Sequence, residues 1–181
     1  MRKVVVSEFV TLDGVFEDPA WTLQFQSEEQ NAFKFAELKA ADALLLGRVT
    51  YEGFAAAWPG MAEQTGEYGA MMNGHPKYVA STTLDTAEWN ASVLKGDLAE
   101  EVAGLKRQPG RDLLVFGSGR LVEALLRHDL VDEYRLLVFP VVLGHGRRLF
   151  PEGLATTLRL VEAKTFSSGV VALTYQPARG A

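Results

Sequence analysis

Residues 44–52 read LLLGRVTYE, so an apolar run stops at Gly47 and a helix-like segment begins at once. The first backbone N–H groups of a helix have no partner within the helix, and the helix dipole adds positive potential there. This junction, with Arg48 beside it, predicts a site where an anion binds at the start of a helix. The alternative interpretation of the stretch is a tight turn with a surface arginine.

A second junction of the same kind lies at residues 113–121, which read LLVFGSGRL. Its Gly117-Ser118-Gly119 turn has part of the dinucleotide fingerprint G-x-G-x-x-G, whose third glycine is replaced by Val122. The turn follows a strand-like run and opens a helix-like one, where a pyrophosphate is favoured. Two such junctions indicate a ligand with more than one phosphate, and therefore a nucleotide cofactor.

The composition fits one ordinary globular domain. The chain has 181 residues, of which 48% are hydrophobic, and it shows no internal repeat or linker, so we expect residues 1–181 to form a single domain. It has no cysteine, which excludes disulfides, thiolate metal sites and cysteine nucleophiles. The three histidines are far apart, and no metal site is indicated.

Charge and hydropathy limit the partners. The net charge of -5 and the lack of a basic run predict no strong binding to nucleic acid. No apolar run reaches the ~20 residues of a membrane helix, and residues 4–6 are too short a run for a signal peptide. We expect a cytoplasmic protein with no membrane partner and a small-molecule substrate.

The order of the predicted elements indicates the fold class. Strand-like and helix-like segments alternate along most of the chain, which favours a parallel sheet. Continuous apolar runs at residues 42–47 and 112–116 predict buried strands, and alternating patterns at 157–165 and 170–176 predict a hairpin. The predicted fold is α/β: three αβα layers around a mixed, mostly parallel sheet, with a C-terminal antiparallel hairpin.

Local signals also predict where helices begin and end. Capping boxes open at Ser27 and Asp97, each followed three residues later by Gln or Glu. The helix that begins at Val49 is predicted to end at Trp58, because Pro59-Gly60 follows.

Three further features are candidates for ligand contact, each with a structural alternative. The strand predicted at residues 77–81 ends in hydroxyl residues, which can hold a ribose or its phosphate, or can cap the next turn. Asp13 can meet an amide or hydroxyl of a ligand, or form an Asp-Gly turn. Trp21 and Phe25 can wall a cleft that binds a flat ring, or can belong to the core.

Several segments together resemble the dihydrofolate reductase-like superfamily. Within it the chain is most similar to the branch related to the C-terminal reductase domain of bacterial riboflavin biosynthesis. The resemblance covers nearly the whole chain and rests on TLDG at 11–14, LLGRVTYE at 45–52, KYVAS at 77–81, VFGSG at 115–119, LVDEY at 130–134 and PVVLG at 140–144.

The resemblance implies that NADPH lies across the sheet. It places Arg48 near the adenosine phosphate and Asp13 near the nicotinamide and the substrate, where Asp13 would orient the substrate or relay a proton. Trp21 and Phe25 would help to wall the substrate. The cofactor-binding residues that it implies are Gly47, Arg48, Thr50, Ser81, Thr82, Gly117, Ser118, Gly119, Arg120 and Leu121.

The function that the resemblance implies is that of an NADPH-dependent reductase. It would transfer a hydride to a C=N or C=O bond of a pterin- or pyrimidine-like molecule, as a 5-amino-6-(5-phosphoribosylamino)uracil reductase or a dihydrofolate reductase does. The alternatives are a nonenzymatic nucleotide-binding module on the same fold and a true dihydrofolate reductase. Because the reductase domains of this family commonly pair, and because residues 139–143 are apolar, we also expect a homodimer.

Overall fold

One mixed sheet runs through residues 1–178, the part of the chain that the computed structural model describes. Its strands are β1 (Val4–Thr11), β2 (Ala41–Gly47), β3 (Lys77–Ala80), β4 (Ala91–Leu94), β5 (Asp112–Phe116), β6 (Glu133–Phe139), β7 (Leu158–Thr165) and β8 (Val171–Pro177). The helices are a 3-10 helix (Pro19–Phe25), α1 (Glu28–Ala40), α2 (Arg48–Gly74), α3 (Leu98–Arg107) and α4 (Gly119–Arg127).

The strands lie in the order β4-β3-β2-β5-β1-β6-β8-β7. All pairs from β4 to β6 are parallel, and β8 and β7 add two antiparallel pairs at one edge. The predicted fold class, with its mixed, mostly parallel sheet and C-terminal hairpin, is therefore confirmed. The carboxyl ends of β1, β2, β3 and β5 consequently meet at the same edge of the sheet.

Consecutive apolar residues in the central strands fill the core on both faces of the sheet. In β1, Val4 and Val6 pack on the side of α3 and α4, whereas Val5 packs on the side of α1 and α2. In β2, Leu45 lies on the first side, and Leu44 and Leu46 lie on the second. A strand covered on both faces requires this continuous apolar pattern, which is why it was readable from the sequence.

The two predicted helix caps are present in the structure, but one helix ends at a different residue from the one predicted. The Ser27 side chain accepts a hydrogen bond from Gln30 N, and the Asp97 side chain accepts one from Glu100 N, so both predicted caps are confirmed. The prediction that a helix ends at Trp58 is wrong, because α2 continues past Pro59 to Gly74. Its break falls at Gly66, whose φ of 58° and ψ of -134° suit a residue without a Cβ.

Replacing Leu45 with alanine is expected to lower the free energy of unfolding by about 2–5 kcal/mol, because a cavity would remain in the centre of the sheet. Urea denaturation of the wild type and L45A measures the difference. The matched control is Leu23→Ala in the 3-10 helix, where the residue is 65% exposed, with an expected change of about 0.5 kcal/mol or less. Equal losses in both variants would contradict the placement of Leu45 in the core.

Candidate functional site

The carboxyl ends of β2, β3 and β5, together with the middle of β1, open into a cleft of about 1670 Å³. In open α/β sheets, ligands bind at this edge. The structure brings both strand–glycine–helix junctions to the cleft, together with the hydroxyl residues after β3. The predicted cofactor-binding residues all line it: Gly47, Arg48, Thr50, Ser81, Thr82, Gly117, Ser118, Gly119, Arg120 and Leu121.

The two helices that begin at the cleft differ from the others in their first turns. Within residues 1–178, the first turns of α1 and α3 each donate a backbone N–H to the side chain of their N-cap residue. The N-cap residue of α2 is Gly47, which has no side chain, and the Ser118 side chain accepts no such bond at the start of α4. The first N–H groups of α2 and α4 therefore remain for water or a ligand. Two helix starts of this kind in one cleft suit an anion with two or more charged groups.

The two junctions contact each other through glycines. A Cβ on Gly47 would overlap the Ser118 side chain, and a Cβ on Gly117 would lie 2.7 Å from Thr50 Oγ1. Ser118 itself has a left-handed backbone (φ 65°, ψ 86°), which costs of order 1–3 kcal/mol for a residue with a Cβ. Gly47 is thus needed for close packing against Ser118. The sequence indicates a different reason for it, the binding of an anion at this junction.

Polar and basic side chains border the cleft on the side of β3, β4 and the start of α2, which is called its outer rim below. Ser81 Oγ accepts hydrogen bonds from Thr83 N and Leu84 N, so it caps the turn after β3 as well as lining the cleft. Arg48 forms an ion pair with Glu52 at 2.9 Å on the exposed face of α2. Lys95, which sequence reasoning missed, lies just after β4 and lines the same rim.

Asp13 lies outside the large cleft and borders a smaller cavity of about 430 Å³. Its carboxylate accepts hydrogen bonds from Thr11 Oγ1 at 2.6 Å, from Leu143 N at 3.2 Å and from Gly144 N at 2.7 Å. These bonds, with the Thr11 hydroxyl first, lower the pKa of Asp13 to about 2. This carboxylate therefore joins the turn after β1 to the loop after β6.

Trp21 and Phe25 are not brought to the cleft either. Both rings pack edge-on against the buried Phe139 ring, with centroids 5.4 Å and 5.9 Å away. This is the core packing that the sequence left open as their alternative. Pro19 and Thr22 of the same 3-10 helix line the cleft instead.

The structure places in the cleft an acid that no sequence motif singles out. Glu8 on β1 is only 7% exposed, and it lines the cleft beside Ser7 and Phe9. Burial raises the pKa of Glu8 to about 8, against the opposing effects of the Lys34 charge and a backbone hydrogen bond from Gly117. In the sequence, Glu8 is merely one polar residue within a strand-like run.

Lys34 of α1 holds a buried polar network under this part of the cleft. Its Nζ donates to Ser7 Oγ at 2.5 Å and lies 2.7 Å from Glu37 Oε2, and Ser7 Oγ donates to Glu37 at 2.8 Å. The ammonium also lies over the Phe116 ring, 4.5 Å from its centroid. The network thus fixes a positive charge next to the middle of β1 and the carboxyl end of β5.

Residues 1–178 contain no group of three or more His, Cys, Asp or Glu side chains arranged to hold a metal ion. Within the same residues, none of the helices has the length and apolarity to cross a membrane.

Comparison with solved structures defines the class of protein. The fold matches that of dihydrofolate reductase from Enterococcus faecalis complexed with NADP(H), with a TM-score of 0.64 and 16% identity over 97% of this chain and 96% of that chain. It also matches a Thermotoga maritima diaminohydroxyphosphoribosylaminopyrimidine deaminase/5-amino-6-(5-phosphoribosylamino)uracil reductase, with a TM-score of 0.69 and 14% identity, over 97% of this chain and 56% of that chain. The protein therefore has the dihydrofolate reductase-like fold.

The chain belongs to the RibD C-terminal domain family, whose pattern matches residues 2–172. It is 30% identical over 177 residues to the uncharacterized protein YyaP of Bacillus subtilis (strain 168), covering 96% of this chain and 94% of that protein. It is also similar to the crystal structure of a candidate riboflavin biosynthesis protein from Shewanella sp. PV-4. That match has a TM-score of 0.78 and 23% identity, and covers 98% of this chain and 99% of that chain.

Asp13→Asn is expected to lower the melting temperature at pH 7, because the amide loses the charge that accepts two backbone N–H bonds. The pKa of Asp13 is lowered on folding, so its contribution is present above the unfolded value of about 4 and is lost as the pH falls towards 2. Melting curves of wild type and D13N from pH 7 to pH 2 should therefore converge at the acid end. Asp85→Asn, in an exposed loop, is the control, and an equal loss there would contradict the assignment.

Proposed function

We propose that this protein is an NADPH-dependent reductase that transfers a hydride to a C=N or C=O bond of a pterin- or pyrimidine-like molecule. The family and the fold support a reductase-type function. The proposal of a dinucleotide cofactor rests on one observation: α2 and α4 both begin at the same cleft, and neither start has a side-chain cap. This arrangement suits the linked phosphates of a dinucleotide.

The outer rim suits the extra phosphate that distinguishes NADPH from NADH. Arg48 and Lys95 supply positive charge there, and the hydroxyls of Ser81 and Thr82 supply hydrogen-bond donors. The pyrophosphate would lie on the turn at residues 117–119 and the first N–H groups of α4. The redox-active ring would then extend along the cleft towards the inner wall.

The inner part of the cleft suits a flat polar heterocycle. Phe9, whose ring centroid lies 5.2 Å from Lys34 Nζ, supplies apolar surface, and Gln30 on the same helix as Lys34 supplies a side-chain amide. Gln30 is 6% exposed, and among residues 1–178 its Oε1 has no hydrogen-bond partner. Such an amide would hydrogen-bond the ring N–H and C=O groups of a pterin or a pyrimidine.

A bound reduced dinucleotide would supply the hydride itself. The residues of this chain would hold the two reactants in one orientation and keep water from the reacting bond. In this proposal Asp13, Trp21 and Phe25 have indirect roles, because they position the loops around the cleft rather than line it.

Wild-type protein is expected to bind NADPH more tightly than NADH. Lys95→Gln is expected to reduce that preference by roughly fivefold, because one exposed charge contributes about 1 kcal/mol to binding the extra phosphate. Titrations followed by nicotinamide fluorescence give both dissociation constants. The matched control is Lys164→Gln on the exposed strand β7, which should keep the wild-type preference.

Failure of the wild type to bind either nucleotide would refute the proposed function. Binding without oxidation of NADPH across a panel of pterins and pyrimidines would favour the nonenzymatic binding module instead. Tight methotrexate binding together with turnover of dihydrofolate would identify a true dihydrofolate reductase.

We also propose a homodimer, in keeping with a cytoplasmic enzyme of this family. Of the apolar run at residues 139–143, Phe139 is buried in the chain's own core, whereas Val142 is 69% exposed. Further exposed apolar surface lies on β7. There Leu160 and Val161 are 49% and 48% exposed. Light scattering after size exclusion is expected to give about twice the 19.8 kDa chain mass; a monomer at micromolar concentration would refute the dimer.

A further inference from the structure

Glu8 is a buried acid with an unpaired oxygen at the inner wall of the cleft. Its residue is 7% exposed, and among residues 1–178 its Oε1 accepts or donates no hydrogen bond. Leaving a buried polar group unpaired costs about 1–3 kcal/mol, so a carboxyl of this kind requires an explanation. The packing of the fold does not explain the carboxyl, because an apolar side chain at residue 8 would pack there without leaving a polar atom unpaired.

The sheet itself opens beside Glu8. On β1, Ser7 pairs with Phe116, which is the last residue of β5. From Glu8 onward β1 is paired only with β6, on its other side, because the chain turns away from β1 at Gly117, whose φ is 61°. The gap between β1 and β5 therefore exposes Ser7, Glu8 and Phe9 to the cleft, next to the turn at residues 117–119.

We propose that Glu8 is the acid that donates the proton when the substrate in this cleft is reduced. The inference rests on the proposed reductase function and deepens it. The carbon of the substrate's C=N or C=O bond takes a hydride with its two electrons from the reduced dinucleotide, and the nitrogen or oxygen takes the Glu8 proton. The substrate gains C–H and N–H or O–H bonds, the dinucleotide is oxidised, and Glu8 remains as a carboxylate until it takes a proton from water.

The surroundings of Glu8 suit both states of this acid. Burial raises its pKa to about 8, so near neutral pH most of the carboxyl carries its proton. Lys34 favours the carboxylate that follows donation, as does the Gly117 hydrogen bond, while Glu37 favours the neutral acid. The other charged groups that line the cleft are Glu17, Asp18, Glu67, Lys95, Arg48, Arg120 and Arg147.

A proton donor must come within hydrogen-bond reach of an atom that is itself adjacent to the hydride-accepting carbon. Glu8 would therefore lie within several ångströms of the nicotinamide ring, which carries a positive charge only when oxidised. At that separation and an effective dielectric constant of about 20, the attraction between the ring and a carboxylate favours NADP⁺ by at least tenfold. The affinity for NADP⁺ should thus depend on whether Glu8 is ionised.

The test measures the dissociation constants of NADP⁺ and NADPH from pH 6.5 to pH 9.5 without any substrate. In the wild type, the ratio of the NADP⁺ constant to the NADPH constant is expected to fall about tenfold as the pH rises towards the ionisation of Glu8. Calorimetry in two buffers of different ionisation enthalpy should show proton release on NADP⁺ binding at pH 7.5. The 2′-phosphate is common to both ligands, so its titration cancels in the ratio.

Glu8→Gln keeps the size and polarity of the neutral acid and should abolish both the pH dependence and the proton release. Glu28→Gln, at the exposed start of α1, is the matched control and should behave as the wild type. A ratio that is flat with pH in the wild type would overturn the role of Glu8 while leaving the reductase proposal standing. If neither nucleotide binds, the reductase proposal fails and the role of Glu8 falls with it.

Discussion

The contact between Gly47 and Ser118 is the constraint on which the cleft depends. It joins the end of β2 to the start of α4, and there is no room for a side chain at residue 47. Because each of these residues directly precedes a helix, the contact also sets the distance between two helix starts. The positive ends of α2 and α4 are consequently held side by side, although they come from distant parts of the sequence.

The features that could be predicted from the sequence were local ones. The buried strands at residues 44–46 and 113–116 were legible as unbroken apolar runs, and each was followed at once by a glycine and a helix. Since all strands near the centre of the sheet are parallel, such junctions had to meet at one edge. This is why the residues chosen for cofactor binding reached one cleft together.

The features that could not be predicted depend on partners far away in the chain. Asp13 meets the backbone about 130 residues later, and Trp21 and Phe25 pack on Phe139. Glu8 reaches the cleft only because β5 ends one strand position before it, which its own neighbours in the sequence do not reveal. A polar residue within a strand says nothing by itself about where the adjacent strand stops.

The bonds made by Asp13 also bear on how mutational data for this protein should be interpreted. They fasten the start of the loop after β6, and Phe16 N donates to Arg147 O at 3.1 Å further along the same loop. Arg147 borders the large cleft and approaches Gly119 at the α4 start. A variant at Asp13 that lost activity would therefore not identify a chemical participant, since a displaced arginine at the mouth of the cleft would produce the same defect.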